Sequence, residues 1–232
     1  MDLKSKIILI YGPTASGKSK FAIKLAKKIN GEIINADSMQ VYKELKILTA
    51  RPYKKDYQNI KHHLYGFLSV KKNFSTGDWL KLIDKKIVDL KKRNKIPILV
   101  GGTGLYFNSL IEGLGNIPNI PIRFREKIRS LHLKLGPKKF FSKLEKLDPL
   151  VIKKIDPFDT QRSIRAYEVK LFTKKSMYEW FKNTKSNYEK ADFYKIYIDF
   201  PRKDLVKKIE IRASEMVRKG VVQEVKKFLK LG

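Results

Sequence analysis

The chain has 232 residues, with 52 Lys or Arg against 23 Asp or Glu and no cysteine. The missing cysteines exclude a disulfide scaffold, a thiolate metal site and a cysteine nucleophile, and the length suffices for one large domain or a core with an insertion. A formal charge of +29 points to a polyanionic partner, discounted because most of it is lysine spread along the chain.

The first apolar run, 6–11, reads as a buried parallel strand. It leads into Gly12-Pro13-Thr14-Ala15-Ser16-Gly17-Lys18-Ser19, which fits the phosphate-loop pattern G-x-x-x-x-G-K-[ST]. A helical pattern follows over 17–29, with Phe21, Leu25 and Ile29 at four-residue spacing. Glycines let the backbone turn several N–H groups toward one anion, and the helix N-terminus adds partial positive charge. Lys18 supplies a full charge, and the Ser19 hydroxyl is the expected magnesium ligand. With a phosphate loop this near the first residue, no signal or transit peptide is expected. No apolar stretch approaches the ~20 residues needed to span a bilayer, so a soluble cytoplasmic protein is expected.

A second strand, 32–36, ends in Asp37-Ser38-Met39-Gln40. Ligands of open α/β sheets bind beyond the carboxyl ends of strands, which puts Asp37 on the same rim as the phosphate loop. It is read as a general base, a magnesium-shell group or a helix cap. A third strand is expected at 63–67, where His62-His63 has no metal-ligand spacing and reads as packing. A helix over 77–94 carries Trp79, Ile83, Ile87 and Leu90 on one face. The fourth strand, 96–101, runs into Gly101-Gly102-Thr103-Gly104-Leu105-Tyr106. Phosphate-loop ATPases place a magnesium-binding Asp there, so its absence argues against a nucleotide-hydrolysing motor. The glycines read either as a β-α turn needing positive φ or as free N–H groups for a second anion.

The fifth strand, 194–200, comes only after a gap too long for a loop. Helices are expected in that gap at 121–134, 137–147, 149–155, 159–173 and 176–182. Arg123, Arg125, Arg129, Arg162 and Arg165 gather in it, and arginine forks suit phosphate and base edges. Gln161, Arg162 and Arg165 share a helix face, with Glu168 as a compensating partner. Tyr178, Trp180, Phe181 and Tyr188 read as packing rather than as a base-stacking platform. Two last helices are expected at 203–218 and 221–231. The fold class is therefore α/β, a phosphate-loop parallel sheet flanked by helices. Residues 1–117 and 191–232 are read as the core domain, and 118–190 as an inserted all-helical domain.

These blocks resemble the tRNA dimethylallyltransferases, also called tRNA isopentenyltransferases. The resemblance rests on the phosphate loop, Asn-Ala-Asp-Ser-Met-Gln-Val-Tyr at 35–42, Gly-Gly-Thr-Gly-Leu-Tyr at 101–106, Arg-Glu-Lys-Ile at 125–128, and Asp-Pro at 148–149 followed by Asp-Thr-Gln-Arg-Ser-Ile-Arg-Ala-Tyr-Glu at 159–168, in family order. Phe158 stands where Asn is commoner in the family, a change expected to be tolerated. The family pattern continues beyond the position of Gly232 with further helices.

The resemblance implies transfer of a dimethylallyl group from dimethylallyl diphosphate, with Mg2+, to N6 of the adenosine 3′-adjacent to the anticodon in the tRNA anticodon stem-loop. It implies Asp37 as base, with Thr103 and Arg212 acting on the diphosphate. The flipped base and its neighbours are expected to meet Asp37, Ser38, Met39, Gln40, Thr103, Arg125, Gln161, Arg162, Ser163, Ile164 and Arg165. A monomer with no membrane partner is expected. The alternatives are a small-molecule or nucleotide kinase using the same loop on ATP, and a non-catalytic RNA-binding switch.

Overall fold

The computed structural model describes residues 3 and 5–231; residues 1, 2, 4 and 232, the outermost of the expected core domain, lie outside the described residues. The chain divides into two compact units, 1–111 with 187–232, and 112–186.

The first unit is a parallel sheet of β1 (Ile7–Tyr11), β2 (Gly31–Asn35), β3 (His62–His63), β4 (Ile96–Val100) and β5 (Phe193–Tyr197), in the order β3-β2-β4-β1-β5. Every residue of β2 and β4 is buried. That explains the continuous apolar run of β4, because a parallel sheet is covered on both faces, while in β2 the buried polar residues Glu32 and Asn35 are hydrogen-bonded. Ile8, Ile10, Ile33 and Ile98 face α1 (Lys18–Ile29); Ile7, Leu9, Ile34 and Leu99 face α2 (Thr76–Lys92) and α3 (Gly104–Glu112).

On α2 the expected stripe of Trp79, Ile83, Ile87 and Leu90 is buried, and Ser75 with Asp78 closes a capping box at its start. On α1 the buried residues are Ala22, Ile23 and Ala26, whereas Phe21 is 39% exposed and Leu25 and Ile29 lie at the margin. Two alanines bring the helix close to the sheet and shift the buried stripe off the larger side chains. The expected strand 63–67 stops at His63, because Leu64 and Gly66 take left-handed backbone angles that end the pairing with β2. The segment 101–103 is the expected turn from β4 into α3, which begins at Gly104. The unit closes with α7 (Arg202–Arg218) and α8 (Val221–Leu229), hinged at Gly220.

The second unit holds α4 (Ile122–Leu147), α5 (Thr160–Thr173) and α6 (Met177–Lys182). Its core is Ile120, Phe141, Leu144, Val151, Ile155, Ala166, Val169 and Met177. Gly136, at φ 74° and ψ 166° before Pro137, breaks α4 into the two expected helices. The expected helix 149–155 is a 3-10 turn at Pro149–Val151, ended by a left-handed Lys153. The unit's edges fall at 112 and 186, outside 118 at one end and inside 190 at the other. Ile117 belongs to its core and Gly115 packs on Trp180 and Phe181, whereas Tyr188 packs in the sheet unit.

Candidate active site at the carboxyl rim of the sheet

The phosphate loop spans β1 and α1. Ala15 and Gly17 take positive φ, and Gly17 caps α1 in a left-handed conformation with no side-chain cap. The first turn of α1 therefore keeps its N–H groups turned toward the loop. Lys18 curls back, its Nζ donating to the Gly12 carbonyl at 2.9 Å and the Pro13 carbonyl at 2.6 Å. Burial lowers its pKa from the usual lysine value, Asp37 works against that shift, and Arg212 adds to it. Asp37, past β2, and Arg212, on α7, thus both act on the Lys18 charge. Ser19 and Thr14 are exposed, whereas Ser16 is 5% exposed and its hydroxyl has no hydrogen-bond partner.

Asp37 lies two residues past the end of β2. Asn35, wholly buried, organises it: the Asn35 Oδ1 accepts from the Asp37 N–H at 3.0 Å, and its Nδ2 donates to the carbonyls of Asp37 and Leu64. Trp79 Nε1 donates to the Asn35 carbonyl at 3.1 Å. Asp37 Oδ1 accepts from the Met39 N–H at 2.9 Å, which closes a turn. No helix begins there, so the helix-cap reading of Asp37 falls away. Neither Asn35 nor Trp79 was singled out from sequence for this role. A short amide at the end of a buried strand, with no apolar reason to be there, was the available signal.

At the end of β4 the backbone of Gly101 runs against that of Ala36: a Cβ on Gly101 would sit 2.0 Å from the Ala36 carbonyl oxygen. Close approach, and not positive φ, is what requires glycine there, and neither Gly101, Gly102 nor Gly104 has positive φ. The N–H groups of Gly101 and Thr103 are taken by the carbonyls of Ile10 and Ala36, so they are not free for a second anion. The approach brings Thr103 to Ser38. Thr103 Oγ1 accepts from the Ser38 N–H at 2.9 Å and donates to the Ser38 hydroxyl at 3.3 Å. Met39 is 50% exposed, and Gln40 Nε2 donates to the Thr49 carbonyl at 3.0 Å. A cavity of about 500 Å³, lined by Tyr11, Pro13, Phe107, Asn108 and Tyr197 among others, adjoins the loop.

In the helical unit, Glu168 is 1% exposed and receives two guanidinium groups, Arg125 Nε at 3.2 Å and Arg165 at 3.4 Å. The compensating carboxylate expected on the helix is thus present, and it is shared. Gln161 and Arg162 are exposed, and Asp159 caps α5 while pairing with Arg162 at 3.4 Å. Ile164 is half-buried; Ser163 is 1% exposed with an unpartnered hydroxyl, so it faces the unit's interior. Tyr178 and Trp180 pack on the unit's core. His63 Nε2 lies 2.6 Å from buried Glu32, and His62 stacks on Tyr57, as the packing reading expects. No cluster of three His, Cys, Asp or Glu suited to a metal occurs among the described residues, and no helix among them is long and apolar enough to cross a membrane.

The IPP transferase family model matches residues 40–232. A tRNA dimethylallyltransferase of Pelagibacter ubique is 63% identical over the whole chain, which spans 74% of that relative. One from Rickettsia massiliae is 47% identical over 96% of the chain, which spans 61% of it. Among solved structures, a eukaryotic dimethylallyltransferase acting on tRNA aligns with 97% of the chain at TM-score 0.80 and 30% identity, the chain spanning 56% of it. The tRNA isopentenylpyrophosphate transferase of Bacillus halodurans aligns with 98% at TM-score 0.63 and 31% identity, the chain spanning 71% of it. The fold is that of these proteins, and they do not favour the kinase alternative. A family model over residues 40–232 and a relative 63% identical, of which the chain spans 74%, show that the chain belongs to the tRNA dimethylallyltransferase family of tRNA-modifying transferases.

Proposed function

We propose that this chain transfers a dimethylallyl group from dimethylallyl diphosphate to N6 of the adenosine 3′-adjacent to the anticodon of a tRNA stem-loop. The observation that carries the reading is that the phosphate loop with Lys18 after β1, Asp37 after β2 and an acid-free Gly101 to Thr103 after β4 stand at the carboxyl ends of three adjacent parallel strands, with Arg212 of α7 acting on the Lys18 charge. Two cations and a glycine loop suit a leaving diphosphate, and the lone carboxylate among them suits a proton acceptor. The apolar cavity beside Pro13 supports a hydrocarbon group on that diphosphate.

In the reaction the bond from C1 of the allyl group to the diphosphate oxygen breaks as the N6–C1 bond forms. Charge gathers on the diphosphate, where the phosphate-loop N–H groups, Lys18 and Arg212 meet it. Preorganised donors of this kind are worth ~10²–10³ each in rate. The adenine amine is a weak nucleophile because its lone pair is delocalised into the ring. Asp37 accepts its proton as the new bond forms, a contribution of ~10²–10⁴. The base must leave its stack to reach this rim. Ser38, Met39, Gln40 and Thr103 receive it, and Gln161, Arg162, Arg165 and Arg125 of the helical unit hold the surrounding RNA.

Magnesium fits the oxygen donors available, the Ser19 hydroxyl and the substrate's phosphate oxygens, and when bound it neutralises diphosphate charge. The protein works as a cytoplasmic monomer in this reading. The test is to mix the chain with labelled dimethylallyl diphosphate, magnesium and an anticodon stem-loop carrying the acceptor adenosine. Label on the RNA supports the reading. ATP consumption with a small acceptor and no labelled RNA refutes it.

A further inference from the structure

A carboxylate far along the chain takes over the backbone of the rim. Glu224 lies in the first turn of α8, where an acid is ordinarily placed to complement its own helix. Its hydrogen bonds go elsewhere. Oε1 accepts from the N–H groups of Lys46 and Ile47 at 2.8 and 2.9 Å, and Oε2 from those of Ile47 and Leu48 at 3.0 and 2.9 Å. Three successive amides converge on one carboxylate, the geometry of a backbone anion nest, with charge-assisted bonds at each.

The turn that Glu224 holds leads directly to the rim. Thr49 and Ala50, the residues after the nest, offer the carbonyls that receive Gln40 Nε2. The Gln40 carbonyl in turn accepts from the Gly66 N–H at 2.9 Å, and Arg51 braces the same segment on the carbonyls of Tyr42 and Lys43. Gln40 is the last residue of the block that begins at Asp37, and Ser38 in that block is fixed from the other side by Thr103. The segment 37–50 is therefore held at one end by Thr103, between β4 and α3, and at the other by Glu224.

We propose that Glu224 is a positioning residue for the acceptor side of the reaction: through the nest at 46–48 and the Gln40 side chain, it fixes the wall that receives the RNA base. This rests on the reading of Asp37 to Gln40 as RNA-facing. Glu224 itself touches neither substrate. Its removal leaves three amide donors without their acceptor, lets 45–50 move and frees Gln40.

The test compares Glu224→Gln and Glu224→Asp with the unaltered chain by peptide-resolved hydrogen exchange and by transfer kinetics. In Glu224→Gln one amide oxygen remains, but an NH2 group faces the backbone donors. Exchange over 40–50 should rise about tenfold or more, while α1 and β4 stay protected. KM for the stem-loop should rise about tenfold, with kcat at saturating RNA within about threefold of the unaltered chain. Glu224→Asp, which keeps the charge, should restore part of both. Combined with Gln40→Ala, the effects on KM should be less than additive, since both act through one contact chain.

Unchanged exchange over 40–50, an unchanged KM for RNA or fully additive effects would each overturn the proposal. Global loss of protection in both variants would overturn it too, by making Glu224 a general stability residue. If the unaltered chain labels no RNA, the functional reading falls, and the exchange arm still decides whether Glu224 holds the segment.

Discussion

Substituting Gly101 by alanine tests whether close approach of two strand ends builds the rim. The added Cβ would lie 2.0 Å from the Ala36 carbonyl oxygen, 2.2 Å from its carbonyl carbon and 2.8 Å from its Cα. Carbon atoms prefer ~3.5–4.0 Å, so the two backbones must part by more than an ångström, and no side chain can rotate away to spare them. The hydrogen bonds from Ala36 N–H to the Val100 carbonyl, 2.9 Å, and from Thr103 N–H to the Ala36 carbonyl, 3.3 Å, stretch together. Overpacking costs ~1–3 kcal/mol, and weakening these bonds brings the total to about 3 kcal/mol. For a chain of this size each kcal/mol lowers Tm by ~2–4 °C, so a fall of roughly 6–12 °C is expected. Asp37 is the next residue after Ala36, so transfer should drop even at temperatures where the protein stays folded. Gly102→Ala is the matched control: its Cβ meets nothing within 4 Å, and its Tm should stay within about 2 °C of the parent. Calorimetric melting of the three proteins decides it. Equal melting temperatures for the parent and Gly101→Ala would refute the steric argument.

Lys18→Ala should cut single-turnover transfer by ~10² or more, with saturating substrates as the assay; a rate near the parent's removes Lys18 from the leaving-group site. Asp37→Asn keeps the turn acceptor for Met39 N–H but cannot take a proton, so the rate should fall by ~10² while both substrates still bind in titrations. Arg165→Ala should raise KM for tRNA and leave dimethylallyl diphosphate binding nearly unchanged, since Arg125 remains on Glu168 to keep that carboxylate paired; equal losses for both substrates would mark the residue as structural. Burial lowers the His63 pKa below its usual 6.5 against the pull of Glu32, and burial of Glu32 is outweighed by Arg93 and His63, which lower its pKa below 4.5. In both cases the unfolded chain binds protons more readily, so melting temperature should fall as pH drops below about 6.5 and again below about 4.5. Glu32→Gln should flatten the lower part of that profile.

Much of the sheet unit was legible because its signals are local. A glycine loop between an apolar run and a helix, or Trp79, Ile83, Ile87 and Leu90 at helical spacing, needs no distant partner to be read. What escaped depends on contacts between remote segments. Gly101 looked like a turn residue because nothing nearby in the chain reveals that Ala36 lies against it. The third strand read as five residues because His63 to Phe67 is apolar enough, while the left-handed Leu64 is set by tertiary packing. On α1, spacing favoured Phe21, yet the approach of the sheet selected the alanines. In the candidate site, Lys18 and Asp37 were readable from motif and strand end. Asn35 and Glu224 were not, because each acts on backbone groups that any sequence would carry.

The glycine at 113 marks where the first and last residues of the helical unit come together. At φ 87°, it lies so close to Lys185 that a Cβ would come within 2.5 Å of that residue's carbonyl. The two strands of chain that bound the insertion therefore meet at its base. In chain-entropy terms the sheet unit closes a gap of a few residues, whatever the length of polypeptide folded between 113 and 185. Closure cost grows only as the logarithm of loop length in any case, by ~0.6 kcal/mol per doubling. The insertion is thus modular: a short glycine-serine bridge in place of 114–184 should leave the phosphate-loop sheet able to fold, and the excised helices carry a core of their own.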